Sequence, residues 1–451
     1  MMSETIWIRY YKNGQFTEEL TFEAVQQQIE HVSTFLSKEG LVAGDRVLVR
    51  MVNSPQAVIA YLALKKSKMI AVPVNPNESE NWLQYVYRHC NARAMLSAEG
   101  IKHFEITNDH AKPVADNIMT IVYTSGTTGA PKGVCLSWSQ WQTNGVALNV
   151  HHYVTTETVH ASPLPLYHCN AHGFSMFGTY LARCRWILVD KVTNRFLDII
   201  NEERVEIVSL VPALLARLLR EHYSWKPHGK LRYIVTAAAP LPAYLANEVL
   251  NAWKVRVIQG YGLSESTNFS CTMPVDLSED TYHLVMNPHP SIGVALPGVE
   301  MRIGDHDQQN QVGELYIRSG SNCMGYWKEG PYFIDWLSTG DLGYYRIIDG
   351  RRFYYITGRI KEQINRGGET LSPIAIEEEL RQLGITGEFA IVPIPHLELG
   401  EEVGLISLVP IDERIIMHIP WHRRPKKITL VDHIPQTPTG KIQRRKAAML
   451  I

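Results

Sequence analysis

YTSGTTGAPKGV, residues Tyr123 to Val134, is the stretch on which the reading of the chain turns. It follows the apolar run Ile118 to Val122, and seven of the ten residues from Thr124 to Gly133 are Gly, Ser or Thr. Small residues at that density let backbone N–H groups and hydroxyls converge on an anion, and Lys132 adds a point charge. The loop is not a Walker A loop, because Gly133 rather than Ser or Thr follows Lys132 and no Gly-x4-Gly-Lys spacing exists. Composition alone leaves a flexible surface turn as the other reading.

Outward from this loop the chain alternates helix and strand signals. Phe22, Val25, Ile29, Val32 and Leu36 repeat at helical spacing, with Thr21 as N-cap and Gly40 just past the end. Arg46 to Val52 reads as a strand, Ser54 and Pro55 open a helix through Ile59 and Leu62, and Met69 to Val74 reads as the next strand. Strand, helix, strand is the signature of a mostly parallel sheet with helices on its faces. The alternation recurs at Trp186 to Val189, Arg204 to Leu219 and Leu231 to Val235. From about Ser291 short strands and turns take over (SIGVALPGVEMRI, VGELYIRSG, RRFYYITG), and from Gly358 and Arg359 strand and helix alternate again. The predicted fold class is α/β. A large N-terminal body, residues 1–358, contains α/β subdomains and a β-rich subdomain; residues 359–451 form a small mobile α+β lid.

The 451 residues are too many for one ordinary core. Hydrophobic residues at 45% and charged residues at 20% exclude wholesale disorder. Lys+Arg 44 against Asp+Glu 45 gives no global basic field to recruit nucleic acid or an anionic membrane. The start, MMSETIWIRYYKNGQ, has no basic region followed by an apolar one, and no apolar run nears the roughly 18 residues of a membrane span. The six cysteines are dispersed without a C-x-x-C pair, which suits reduced thiols and a cytoplasmic location. His151, His152, His160, His168 and His172 crowd together without the carboxylate or cysteine spacing of a metal site. Arg423, Arg424, Lys426 and Lys427, with Arg444, Arg445 and Lys446, read as solvated face, with contact to the phosphates of a ligand or to an acidic protein as a second reading.

The string from Thr124 to Gly133 resembles the phosphate loop of the acyl-adenylate-forming superfamily, which includes acyl- and aryl-CoA synthetases, peptide-synthetase adenylation domains and firefly-type luciferases. The resemblance continues in order along nearly the whole chain, and it implies a role for each matching residue. Thr124, Ser125, Gly126, Thr127, Thr128 and Gly129 would cradle the ATP phosphates, with Lys132 on them. PLYHCN, Pro165 to Asn170, looks like the segment bordering the carboxylate pocket, which carries His168 over. TAAAP, Thr236 to Pro240, matches the turn beside adenine and acyl group, with Ala238 and Ala239 at its centre. In GYGLSE, Gly260 to Glu265, Tyr261 between Gly260 and Gly262 would stack on adenine, Ser264 would touch phosphate where the family usually has Thr, and Glu265 would hold Mg²⁺. STGDLG, Ser338 to Gly343, puts Asp341 on the ribose hydroxyls, since a carboxylate accepts two hydrogen bonds at once.

TGRIKEQINRGGETLSP, Thr357 to Pro373, implies that Arg359 supports the ribose and that Lys361 is the hinge of the small domain. Gly367 and Gly368 match the stretch beside the thiol tunnel of CoA ligases. PQTPTGKIQRR, Pro435 to Arg445, aligns Lys441 with the C-terminal catalytic lysine.

The chemistry suits these residue types. A carboxylate attacking the α-phosphorus of ATP places charge on phosphoryl oxygens and departing pyrophosphate, which lysines, Mg²⁺ and aimed N–H groups stabilise. The resemblance implies acyl-AMP formation followed by transfer to a thiol, CoA in an acid–thiol ligase or the phosphopantetheine of a carrier protein in a stand-alone adenylating enzyme. INRGGE fits both. Amino-acid activation is disfavoured because LPLYHCN lacks the Asp that pairs with an ammonium. A non-catalytic sensor is expected to lose Lys441, Glu265 or Lys132, and all three are present. The stretch 403–427 is short for this family and omits a helix or more.

Overall fold

The computed structural model describes residues 5–104, 117–124, 131–331, 335–437 and 441–451, without the side chains of 330 and 331. Its first sheet has nine strands. Six of them run parallel in the order Arg256–Gly262, Tyr233–Thr236, Ile207–Leu210, Val159–Ser162, Arg185–Val189 and Ile6–Lys12. Short, wholly apolar or nearly apolar strands such as IVSL and YIVT are what a sheet covered on both faces requires. The hairpin Ile6–Lys12 and Gln15–Thr21 closes one edge, a pairing that the alternation described above does not anticipate.

The second sheet has eight strands and contains the loop that opened the reading. Strand Ile118–Thr124 enters the loop parallel to Ile70–Pro73, and strand Lys132–Ser137 leaves it antiparallel. Beyond that strand the sheet is extended by Gly325–Tyr326. Helix Phe22–Lys38 starts where expected, with the Thr21 hydroxyl accepting the Ala24 N–H at 3.1 Å. Ser54 likewise caps helix Pro55–Lys66. That helix buries nine of its twelve residues, because it is apolar on every side and lies in a core lined by both sheets. Trp7 of the first sheet, Val47 and Val49 of the second and Trp141 of helix Trp138–His151 share this core, each fully buried. Trp141 satisfies its indole N–H on the Thr120 hydroxyl at 3.0 Å.

A four-stranded antiparallel sheet follows, made of Val299–Ile303, Gly313–Ser319, Leu337–Ile348 and Arg351–Arg359. Its register places Asp341 opposite Arg359. The strand runs through Gly358 to Arg359 and is followed by a short helical turn, Ile360–Glu362.

The last sheet comprises Glu369–Leu371, Ile364–Arg366, Gly400–Ser407 and Phe389–His396, with Lys427–Leu430 parallel to Gly400–Ser407. Ile376 and Leu380 of helix Pro373–Gln382 pack with Ile391, Val403 and Leu405 in a separate core. In the short stretch 403–427, the segment after strand Gly400–Ser407 holds one four-residue helix, Glu413–Ile416. The basic run is less solvated than expected. Arg444 is 7% exposed, paired with Glu377 and Glu362, and donates to the Ile391 carbonyl, so its charge is satisfied inside. Arg423 pairs with Glu379, and Arg424 donates to the carbonyls of Met417 and Ile419.

Candidate active site

Strand Arg256–Gly262 and the turn after it form the hub. Gly260 and Gly262 are glycines for a packing reason. A Cβ on Gly260 would meet the Phe269 ring at 2.8 Å, and one on Gly262 would drive into the Asn268 carbonyl. The neighbouring strand Phe269–Thr272 therefore lies close against the backbone on either side of Tyr261, which donates its hydroxyl to Asp341 Oδ2 at 2.6 Å. Burial and the Asp341 charge push that phenol well above its ordinary range, so it stays a donor. Asp341 is buried, and its other oxygen pairs with Arg359. A carboxylate has about four acceptor directions, so two engaged donors still leave it capacity for a diol.

The last sheet's unit brings Lys441 to this end of the site. Lys441 Nζ lies 3.6 Å from Glu362 Oε1, and Glu362 also holds the Arg444 Nε at 3.4 Å. Burial and the Arg359 charge lower the Lys441 pKa, while Glu362 and Asp341 oppose them. Lys361, one residue before Glu362, is exposed. Gly367 and Gly368 form the tip of the hairpin Ile364–Arg366 and Glu369–Leu371 with φ of +55° and +88°. The Gly367 N–H donates to the Leu399 carbonyl at 2.9 Å.

On the other side of the hub, Ser264 accepts a long hydrogen bond from the Cys169 thiol at 3.6 Å, which joins the GYGLSE turn to the PLYHCN segment. His168 follows the turn closed by its own N–H on the Pro165 carbonyl, and burial lowers its pKa to about 4, so it is a neutral imidazole at pH 7. The other crowded histidines separate into the core: His152 meets the Tyr233 hydroxyl, His160 the Ser209 hydroxyl and His172 the Leu166 carbonyl. Ala238 takes a left-handed φ of +72° in the turn after strand Tyr233–Thr236, beside the partly buried Ala239. Left-handed backbone costs a non-glycine residue on the order of 1 kcal/mol, the kind of strain that gathers at binding turns.

Thr124 and Lys132 face each other across the start of the anion loop, the Thr124 hydroxyl donating to the Lys132 carbonyl at 3.5 Å. Ser125, Gly126, Thr127, Thr128 and Gly129 lie outside the described residues. Lys132 Nζ pairs with Glu329 at 2.9 Å and rides 4.7 Å over the Tyr326 ring. Both partners of that pair are exposed, so giving it up for a phosphate costs little. Glu265 accepts the Tyr326 hydroxyl at 2.9 Å.

Sequence reading missed Tyr326, Glu329 and Glu362. Glu362 stands beside Lys361 in a quoted motif, but nothing in the string says which way it points. Tyr326 lies about 60 residues from the motif it serves.

The donor set suits Mg²⁺. Glu265 is one partly exposed carboxylate, and among the described residues no three His, Cys, Asp or Glu groups are close enough to hold a metal alone. Mg²⁺ takes one or two carboxylates and completes its shell with substrate phosphates and water. One carboxylate is within the number that arrangement needs.

The site thus holds a buried carboxylate–arginine pair, Asp341 with Arg359, a carboxylate and a lysine that share Tyr326, Glu265 and Lys132, and a second lysine, Lys441, brought from another unit. The chain belongs to the AMP-binding enzyme family, whose model matches residues 7–327. It is 31% identical over 364 residues to a 4-coumarate–CoA ligase-like protein of Arabidopsis thaliana, covering 74% of this chain and 62% of that one. It is 25% identical to the sulfoacetate–CoA ligase of Cupriavidus necator over 95% of this chain and 92% of the relative. The fold matches ATP-bound MatB from Rhodopseudomonas palustris with a TM-score of 0.84 at 24% identity, over 99% of this chain and 96% of that structure. No described helix is long and apolar enough to cross a membrane.

Proposed function

We propose that this protein activates a carboxylic acid with ATP and Mg²⁺ to acyl-AMP and then transfers the acyl group to CoA. The carboxylate oxygen bonds to the α-phosphorus and pyrophosphate leaves; the CoA thiolate then attacks the acyl carbon and AMP leaves. The observation that carries this reading is the convergence of Asp341, Arg359 and Lys441, which come from two sheet units on one side of the Tyr261 hub. Asp341 and Arg359 are suited to the ribose, and Lys441 to the charge that develops between carboxylate and α-phosphate. Lys132 and the loop from Thr124 receive the β and γ phosphates. Bound at Glu265, Mg²⁺ would neutralise charge on the phosphate oxygens. His168, neutral and partly exposed, borders the acid.

Thioester formation needs Lys441 withdrawn and Gly367 and Gly368 brought in, so residues 359–451 turn about Lys361 between half-reactions. The exposure of Lys361 and the turn at Ile360–Glu362 support that hinge. The CoA-ligase names of the relatives support CoA over a carrier protein as acceptor.

The test is pyrophosphate release with ATP and Mg²⁺ across aryl, short, medium and long-chain acids, each with and without CoA, and products read by mass spectrometry. An acyl-CoA product is expected with at least one acid. Adenylate that accumulates while CoA is ignored moves the acceptor to a carrier protein, and no turnover with any acid refutes the ligase reading.

A further inference from the structure

Glu265 and Lys132 meet on one side chain that neither of their motifs contains. The Tyr326 hydroxyl donates to Glu265 Oε1 at 2.9 Å, and its ring lies 4.7 Å beneath Lys132 Nζ. The backbone around it is tied at both ends. Cys323 N–H donates to the Glu265 carbonyl and Trp327 N–H to the Gly133 carbonyl, each at 2.7 Å, and Tyr326 itself pairs with Val134. The stretch 321–327 is thus bonded both to the strand leaving the anion loop and to the turn that presents Glu265.

A phenol suits both contacts. It offers an O–H to an anion and a negative ring face to a cation at the same time.

We propose that Tyr326 is a positioning residue for adenylation. It gives the carboxylate and the ammonium separate partners on one rigid ring, which fixes Glu265 for a divalent cation and Lys132 for the phosphates. The proposal rests on the assignment of Glu265 to Mg²⁺ above. Partners that orient a metal-holding carboxylate typically change metal affinity by about 10- to 100-fold when removed.

The experiment compares Tyr326→Phe, Tyr326→Leu and Glu265→Gln with the full-length enzyme, using Mn²⁺ with a non-hydrolysable ATP analogue and reading bound metal by electron paramagnetic resonance. Tyr326→Phe keeps the ring and is expected to weaken Mn²⁺ binding about tenfold while the melting temperature and circular dichroism hold. Its rate of acyl-AMP formation is expected to fall at low Mg²⁺ and recover at high Mg²⁺. Thioester formation from supplied acyl-AMP should stay within about twofold, the step in which neither charge is used. Tyr326→Leu also removes the ring and should weaken binding of the analogue itself. Wild-type Mn²⁺ binding in Tyr326→Phe, alongside a weakened Glu265→Gln, overturns the proposal and leaves the metal assignment standing. Unchanged Mn²⁺ binding in Glu265→Gln overturns both, and equal loss in the two half-reactions reduces Tyr326 to a structural role and overturns the proposal.

Discussion

Replacing Glu362 with Gln tests how Lys441 is aimed and charged. The pair is 3.6 Å apart, with side chains 31% and 14% exposed. Fully buried pairs cost about 3–5 kcal/mol when one partner is removed, and exposed pairs about 0–1. This one lies between, and about 1.5 kcal/mol corresponds to roughly a tenfold loss in acyl-AMP formation. The sign of the pH effect is fixed by the surroundings. Burial and Arg359 already lower the Lys441 pKa, and Glu362 is the first group that opposes them. Without it the charged form is favoured less, so the alkaline limb of the adenylation profile should move to lower pH. Gln keeps the shape of the side chain, and Arg444 keeps its pairing with Glu377. The assay is ATP–pyrophosphate exchange from pH 6 to about 10, beside thioester formation from synthetic acyl-AMP, which should be nearly unaffected. An unmoved alkaline limb, or an equal loss in both half-reactions, refutes the role given to Glu362.

Lys441→Ala should abolish acyl-AMP formation, by about 10²- to 10³-fold, yet largely spare the thioester step; equal loss in both assays removes the two-conformation reading. Gly368→Leu should spare adenylation and block thioester formation. The site is open around its Cβ, and the φ of +88° adds only about 1 kcal/mol of local strain, so loss of adenylation in a folded variant would contradict the tunnel role. Gly262→Ala should destabilise the protein by about 2 kcal/mol in urea unfolding through its collision with the Asn268 carbonyl. An unshifted midpoint would show that the strand can move aside.

The sequence was most legible where a residue acts on its immediate neighbours. Thr21 and Ser54 were readable as caps because a cap bonds three residues ahead. The β-rich turn of character after Ser291 and the apolar parallel strands were readable from local pattern alone. Asp341 and Arg359 were named separately, and only the register of two long strands shows that they are partners. Tyr326 was invisible because its hydroxyl and ring reach back to Glu265 and Lys132, across 61 residues in one case. Arg444 was misread because a run of basic residues predicts solvent only while no carboxylate is folded over it. Here Glu377 and Glu362 are.

The hairpin at the start of the chain has a consequence for synthesis. Ile6–Lys12 can pair with Gln15–Thr21 as soon as both have left the ribosome, but its other edge waits for Arg185–Val189. Trp7 waits as well for Thr179, 172 residues on, to receive its indole N–H. At about 5–20 residues per second that is an interval on the order of ten seconds or more. Through it, a strand edge and a tryptophan that end fully buried are open to other chains, so this hairpin is where slow translation or a scarce chaperone would first be felt.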